Sequence, residues 1–121
     1  RQPVFTTSDG ATWGMVVLPP RTDGNRVSGF LSGQAFNQFR LRVTTRTVRL
    51  SGGETVLLIE SFENIQQAIS FFETIRNTNF WNNQIRASAW KQVAVSPENF
   101  KLIESQGNTE AYSVFYDNQM Q

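Results

Sequence analysis

The chain has 121 residues, 39% of them apolar, with ten Phe and three Trp, which is enough for one folded domain with a real core. It holds no cysteine and no histidine, which excludes disulfides, thiolate or imidazole metal sites, and nucleophile–histidine catalysis built from this chain alone. A net charge of +1 supplies no bulk field for nucleic acid or membranes, and no apolar run approaches the roughly 18 residues of a membrane span.

The sequence opens on Arg1-Gln2-Pro3 without an initiator methionine and reads as a processed form or a piece of something longer. Residues 1–11, with their polar, Gly and Pro punctuation, are expected to be a linker or lead-in to a single domain over 12–121. Trp13 to Leu18 is a short β-rich run ended by Pro19-Pro20. It is apolar on both parities, which suggests a strand inside a sheet. A turn over 21–26 leads to helix-spaced Val27, Phe30, Leu31 and Phe36, a helix weakened by Gly29 and Gly33. In "FRLRVTTRTVRL", Leu41 and Val43 alternate with Arg40 and Arg42, whereas Val48 and Leu50 take the inward parity later. The phase slips near Thr44–Thr47, and a β-bulge or strong bend is expected there.

Ser51-Gly52-Gly53-Glu54 makes a hairpin turn, and Thr55 to Ser61 returns as a central strand, apolar on both parities. The clearest helix runs from Asn64 to about Asn77. Ile65, Ala68, Ile69, Phe72 and Ile75 form its inward stripe, and Ser61 or Asn64 is a possible cap. A polar connector studded with Phe80, Trp81 and Trp90 precedes a short strand over Gln92–Val95. In "VSPENF", Ser96 is placed to accept from a free helix amide. Pro97 sits where its missing N–H costs nothing, and Glu98 complements the helix dipole. Neither a base nor an oxyanion-hole motif surrounds Ser96, so the stretch reads as a helix start and not as a catalytic turn. Gly107 ends that helix, and Asn108 caps a last one carrying Tyr112, Phe115 and Tyr116. The order β-α-β-β-α-β predicts an α+β, ferredoxin-like antiparallel sheet with helices on one face, plus an extra C-terminal helix.

Charge is segregated along the chain. Residues 21–50 carry six arginines against the single acid Asp23, a net +5, while residues 51–121 carry four bases and eight acids, a net −4. Arg40, Arg42 and Arg46 share one strand parity, and so one face if the phase slip falls after Arg46. With Trp13 nearby they are the candidate contact surface for an anionic partner. The alternative is a solvated strand face neutralised by Glu54, Glu60 or Glu63. Glu60 and Glu63 form a carboxylate pair at a strand-to-helix junction, where helix-dipole complementarity explains them as well as acid–base chemistry does. An RNA-recognition reading lacks its aromatics, since "TVLLIES" has none and "TWGMVV" offers only Trp13. Phe80, Trp81 and Trp90 are either plugs at the sheet edge or an exposed patch for a partner.

Several short motifs in order carry a resemblance. Phe36-Asn37 precedes a strand, Ile59 to Phe62 ends one, and Ala68 to Phe72 lies on a helix. Val93 to Val95, Ser96 to Phe100 and Tyr112 to Tyr116 follow. Over about residues 13–117 the chain resembles the C-terminal domain of SprE/PorW-type tetratricopeptide lipoproteins, envelope proteins linked to type IX secretion and gliding. In plan it is also similar to SPOR domains, which bind peptidoglycan glycans on an exposed sheet face. The resemblance implies a non-catalytic periplasmic or envelope module, part of a longer lipoprotein and without cofactors. It implies an envelope protein as partner, with peptidoglycan as the alternative, and neither nucleic acid nor an integral membrane segment.

Overall fold

A computed structural model describes Phe5, residues 10–84, Arg86 and residues 90–119. Most of the expected lead-in 1–11 and part of the connector before Gln92 lie outside the described residues. Strand β1 (Thr12–Leu18) is followed by α1 (Gly24–Phe39), β2 (Thr44–Arg49), β3 (Thr55–Phe62) and α2 (Ile65–Arg76). Then come β4 (Gln92–Val95), α3 (Pro97–Gln106) and α4 (Glu110–Gln119). The four strands form one antiparallel sheet in the order β2-β3-β1-β4, the ferredoxin-like plan.

Local chemistry sets the helix ends. The Asp23 carboxylate accepts from the Asn25 and Arg26 amides to start α1, and Asn64 accepts from the Gln67 amide to start α2. Ser96 Oγ accepts from the Asn99 amide at 3.1 Å, Pro97 occupies the first turn, and Gly107 closes α3 in the left-handed conformation (φ 85°). The "VSPENF" stretch is therefore a helix start. Helix α1 forms in spite of its glycines because Val27, Leu31 and Ala35 are buried against the sheet, and tertiary burial outweighs weak propensity.

Helices α1 and α2 cover one face, as expected. Val16, Leu18, Leu57, Ile59 and Ala94 from the sheet meet Leu31, Phe71, Phe72 and Ile75 there. The other face is not bare. Met15, Val56, Leu58, Val93 and Val95 pack against Phe100 and Ile103 of α3 and Tyr112 of α4, with Phe5 edge-on to Tyr112 at 5.1 Å. The sheet is thus the middle layer of three, which accounts for the apolar residues at both parities of β1 and β3.

The expected bulge in β2 is absent, since β2 pairs with β3 without a slip from Thr44↔Glu60 to Arg49↔Thr55. Leu41 and Val43 pack on the α1–α2 side, and Val48 and Leu50 on the α3–α4 side. Parity is continuous there, and what changes is which face offers an apolar layer. The irregularity lies instead between β1 and β3, where Thr12↔Phe62 and Gly14↔Ile59 straddle an extra residue and Phe62 turns onto the α2 side.

Long-range polar contacts pin the C-terminal layer. The Gly52 amide donates to the Gly107 carbonyl at 2.8 Å, docking the hairpin turn on the α3–α4 turn. The Glu54 carboxylate accepts from the Thr109 amide at 2.7 Å and from its hydroxyl, so a side chain from the hairpin caps the start of α4. The Tyr112 hydroxyl donates to the Ala94 carbonyl at 2.6 Å.

Two tests follow from this packing. A Cβ at Gly14 would meet Phe72 at 2.9 Å and Ile59 and Phe62 at 3.3 Å, whereas one at Gly29 meets nothing within 4 Å. Urea denaturation is expected to show Gly14→Ala destabilising by about 1–3 kcal/mol and Gly29→Ala stabilising by about 0.5–1 kcal/mol. Equal effects would refute the close approach of β1 to α2. Burial raises the pKa of Tyr112 above the ordinary 10.0, and burial is also the largest cause raising Tyr116. The unfolded chain releases these protons near pH 10 while the folded one holds them, so the contribution to stability is complete below that pH and is lost as pH climbs further. The urea midpoint should fall above pH 10 and fall less steeply in Tyr112→Phe, and identical slopes would refute the burial argument.

Candidate functional site

Among the expected contact residues, the fold unites Arg46 and Trp13 and separates Arg40 and Arg42 from them. Arg46 on β2 and Trp13 on β1 both point to the α3–α4 side of the sheet. The Arg46 guanidinium carbon sits 5.3 Å from the Trp13 ring centroid and 5.9 Å from that of Phe100 on α3. Trp13 and Phe100 are themselves 5.9 Å apart. Arg46 Nε donates to Glu60 Oε2 at 2.9 Å, as the cross-strand register allows. Glu60 therefore neutralises this arginine in part, as the solvated-face reading expected, while Glu54 is engaged with α4 instead. Among the described residues the terminal nitrogens of Arg46 make no hydrogen bond, so the fork retains donors toward solvent.

This corner remains partly accessible beside Phe100 of α3. Met15, Val56, Leu58, Val93 and Val95 are buried beneath the two helices, whereas Thr44 and Arg46 are exposed and Trp13 and Val48 are half-buried. The expected broad bare face is thus reduced to a strip along β2. Its aromatic floor and guanidinium suit a flat or anionic group, by stacking and by charge-assisted hydrogen bonds.

Arg40 and Arg42 lie outside the strand, which begins only at Thr44. The three arginines therefore do not belong to one strand, and the pairing register places only Arg46 on a sheet face. Arg40 is the left-handed cap of α1 (φ 56°), its amide donating to the Phe36 carbonyl and the Leu41 amide to the Ala35 carbonyl. That turn carries the chain from α1 into β2 and brings Arg40 and Arg42 within 5.8 and 5.9 Å of the Phe36 ring centroid. Phe36 is 43% exposed, so it and the two arginines form a second aromatic–cation cluster at the end of the sheet where β2 starts. The sequence resemblance marked Phe36-Asn37 as a motif, but spacing alone did not single out Phe36 as an exposed ring.

The other sequence candidates resolve into structure. Glu63 donates its amide to the Gln67 side chain at the entry to α2, and its carboxylate partner of expectation, Glu60, faces Arg46. Of the connector aromatics, Trp81 is fully buried in a single π-helical turn over Phe80–Gln84. Phe80 stacks on Phe30 at 4.5 Å, and Trp90 meets Trp81 edge-on at 5.8 Å. The plug reading holds for Trp81, while Phe80 and Trp90 are half-buried.

The Arg46–Glu60 pair is surface-exposed, with side-chain exposures of 45% and 25%, so its charge contributes little to folding. Arg46→Met is expected to change the free energy of unfolding by less than about 1 kcal/mol, measured by urea titration. A larger loss would show that this corner is structural.

No family model, no curated protein and no solved structure was found to match the chain.

Proposed function

We propose that this chain is a non-catalytic protein-binding module of the cell envelope. Its contact surface is the cationic β2 margin, comprising the Arg46–Trp13 corner and the adjoining Arg40–Arg42–Phe36 cluster. The observation that carries the reading is the posture of Arg46 on an edge strand, seated on Trp13 and Phe100 and bonded through Nε, with its side chain 45% exposed and no described partner for its terminal donors. An arginine held over aromatic rings is pre-organised, so a partner that binds it loses little side-chain entropy. Residues 24–53 contain no acid, so the partner surface that fits is acidic. The envelope setting and the membership of a longer lipoprotein rest on the resemblance to SprE/PorW-type C-terminal domains.

Absence of catalysis is supported by the roles the candidate groups already fill: Ser96 caps α3 and Glu60 is tied to Arg46. Glycan binding of the SPOR kind calls for an open sheet face, and here α3 and α4 occupy most of that face. The protein-binding reading is therefore the stronger.

The test is crosslinking and co-purification of the tagged chain from envelope extract, with a sacculus pull-down in parallel. A partner identified this way and repurified should bind the chain directly. Its affinity should fall about tenfold or more with the Arg46→Ala/Trp13→Ala pair, and measurably with Arg40→Ala/Arg42→Ala, while Lys101→Ala on α3 leaves it unchanged. Retention on sacculi lost in the same variants would transfer the surface to a glycan. Binding indifferent to all four residues would remove it.

A further inference from the structure

A second cationic site lies at the opposite end of the sheet. Where β1 and β2 end, β3 starts and the chain enters β4, an open cleft of about 800 Å³ is walled by Pro19, Arg21, Arg49, Glu54, Trp90 and Lys91, with others. Its three cations come from three separate segments: the turn after β1, the last residue of β2, and the residue before β4. The volume lies in the range of small-molecule sites, which are of the order of 300–1,000 Å³.

The charges in the cleft are unbalanced. Glu54 is the acid on its wall, and both of its carboxylate oxygens are taken up by Thr109 at the start of α4. Among the described residues neither Arg21 nor Arg49 forms an ion pair, while Lys91 turns its Nζ to the Ser113 hydroxyl of α4 at 3.3 Å, off the wall of this cleft. Arg21 is also held in the left-handed region (φ 66°), a conformation that glycine adopts without steric cost. A long cationic side chain at a position that favours glycine is an observation folding does not require. The half-buried Trp90 and the Pro19-Pro20 wall add an apolar, flat-sided margin to the same cleft.

We propose that this cleft binds a small phosphate-bearing ligand, with the phosphates between Arg21 and Arg49 and a ring or apolar portion against Trp90. Guanidinium forks suit the multiple oxygens of a di- or polyphosphate, and an indole face suits a planar group. The site is independent of the β2 margin, and no binding or catalysis there is needed for it.

The probes are inorganic pyrophosphate and ADP, titrated calorimetrically into the purified chain at low and at high salt. Both are expected to bind saturably at low salt and to weaken as salt rises, with ADP the tighter and Trp90→Ala erasing its advantage. Arg21→Gly and Arg49→Gln are each expected to lower pyrophosphate affinity about tenfold or more. Arg21→Gly should do so with no fall in melting temperature, because glycine relieves the left-handed backbone. A variant that loses binding together with its fold is replaced as a test by the other. The absence of saturable heat with either probe, or unchanged affinity in both arginine variants, overturns the proposal.

Discussion

The organising constraint is that the four-stranded sheet must exclude water from both of its faces. Residues 56–59 of β3 and 15–18 of β1 present apolar side chains alternately up and down, and a single helical layer satisfies only half of them. Phe71 and Phe72 of α2 close one side, and Phe100 and Ile103 of α3 close the other. Burying each such side chain is worth about 1.5–3 kcal/mol, so the C-terminal helices are as much a part of the core as the two that complete the ferredoxin-like plan.

Burial alone does not orient that second layer, because the hydrophobic effect is non-directional. Direction comes from a few polar bonds made across long stretches of chain. Glu54 at the hairpin caps α4, Gly52 holds Gly107, and Tyr112 reaches the backbone of β4. These contacts tie the α3–α4 turn to one end of the sheet, and Thr44 and Arg46 of the edge strand β2 stay exposed.

Five of the six arginines in residues 21–50 fall into three settings that charge counting does not separate. Arg46 rests on rings and a carboxylate, Arg40 and Arg42 flank Phe36 beside the sheet, and Arg21 and Arg49 enter the cleft at the far end. A nearly neutral chain can in this way present more than one cationic surface.

Much of the architecture could be read along the chain because it depends on neighbours within a turn or two. The Ser96-Pro97-Glu98 start, the Gly107 stop, the Asn64 cap, the stripe of α2 and the hairpin at Gly52-Gly53 are all local rules of geometry and hydrogen bonding. The two-sided apolar pattern of β1 and β3 was visible as well, but it signals burial without naming the covering layer. The apparent phase slip in β2 arose for the same reason, since a period-2 pattern was judged against one core when there are two. Only the tertiary structure decided that α3 and α4 would take the second face, and that Arg46 would meet Trp13 while Arg40 and Arg42 met Phe36. It alone gathered Arg21, Arg49 and Lys91 around one cleft. Those encounters join residues far apart in the chain, and their outcome depends on packing geometry that no local window contains.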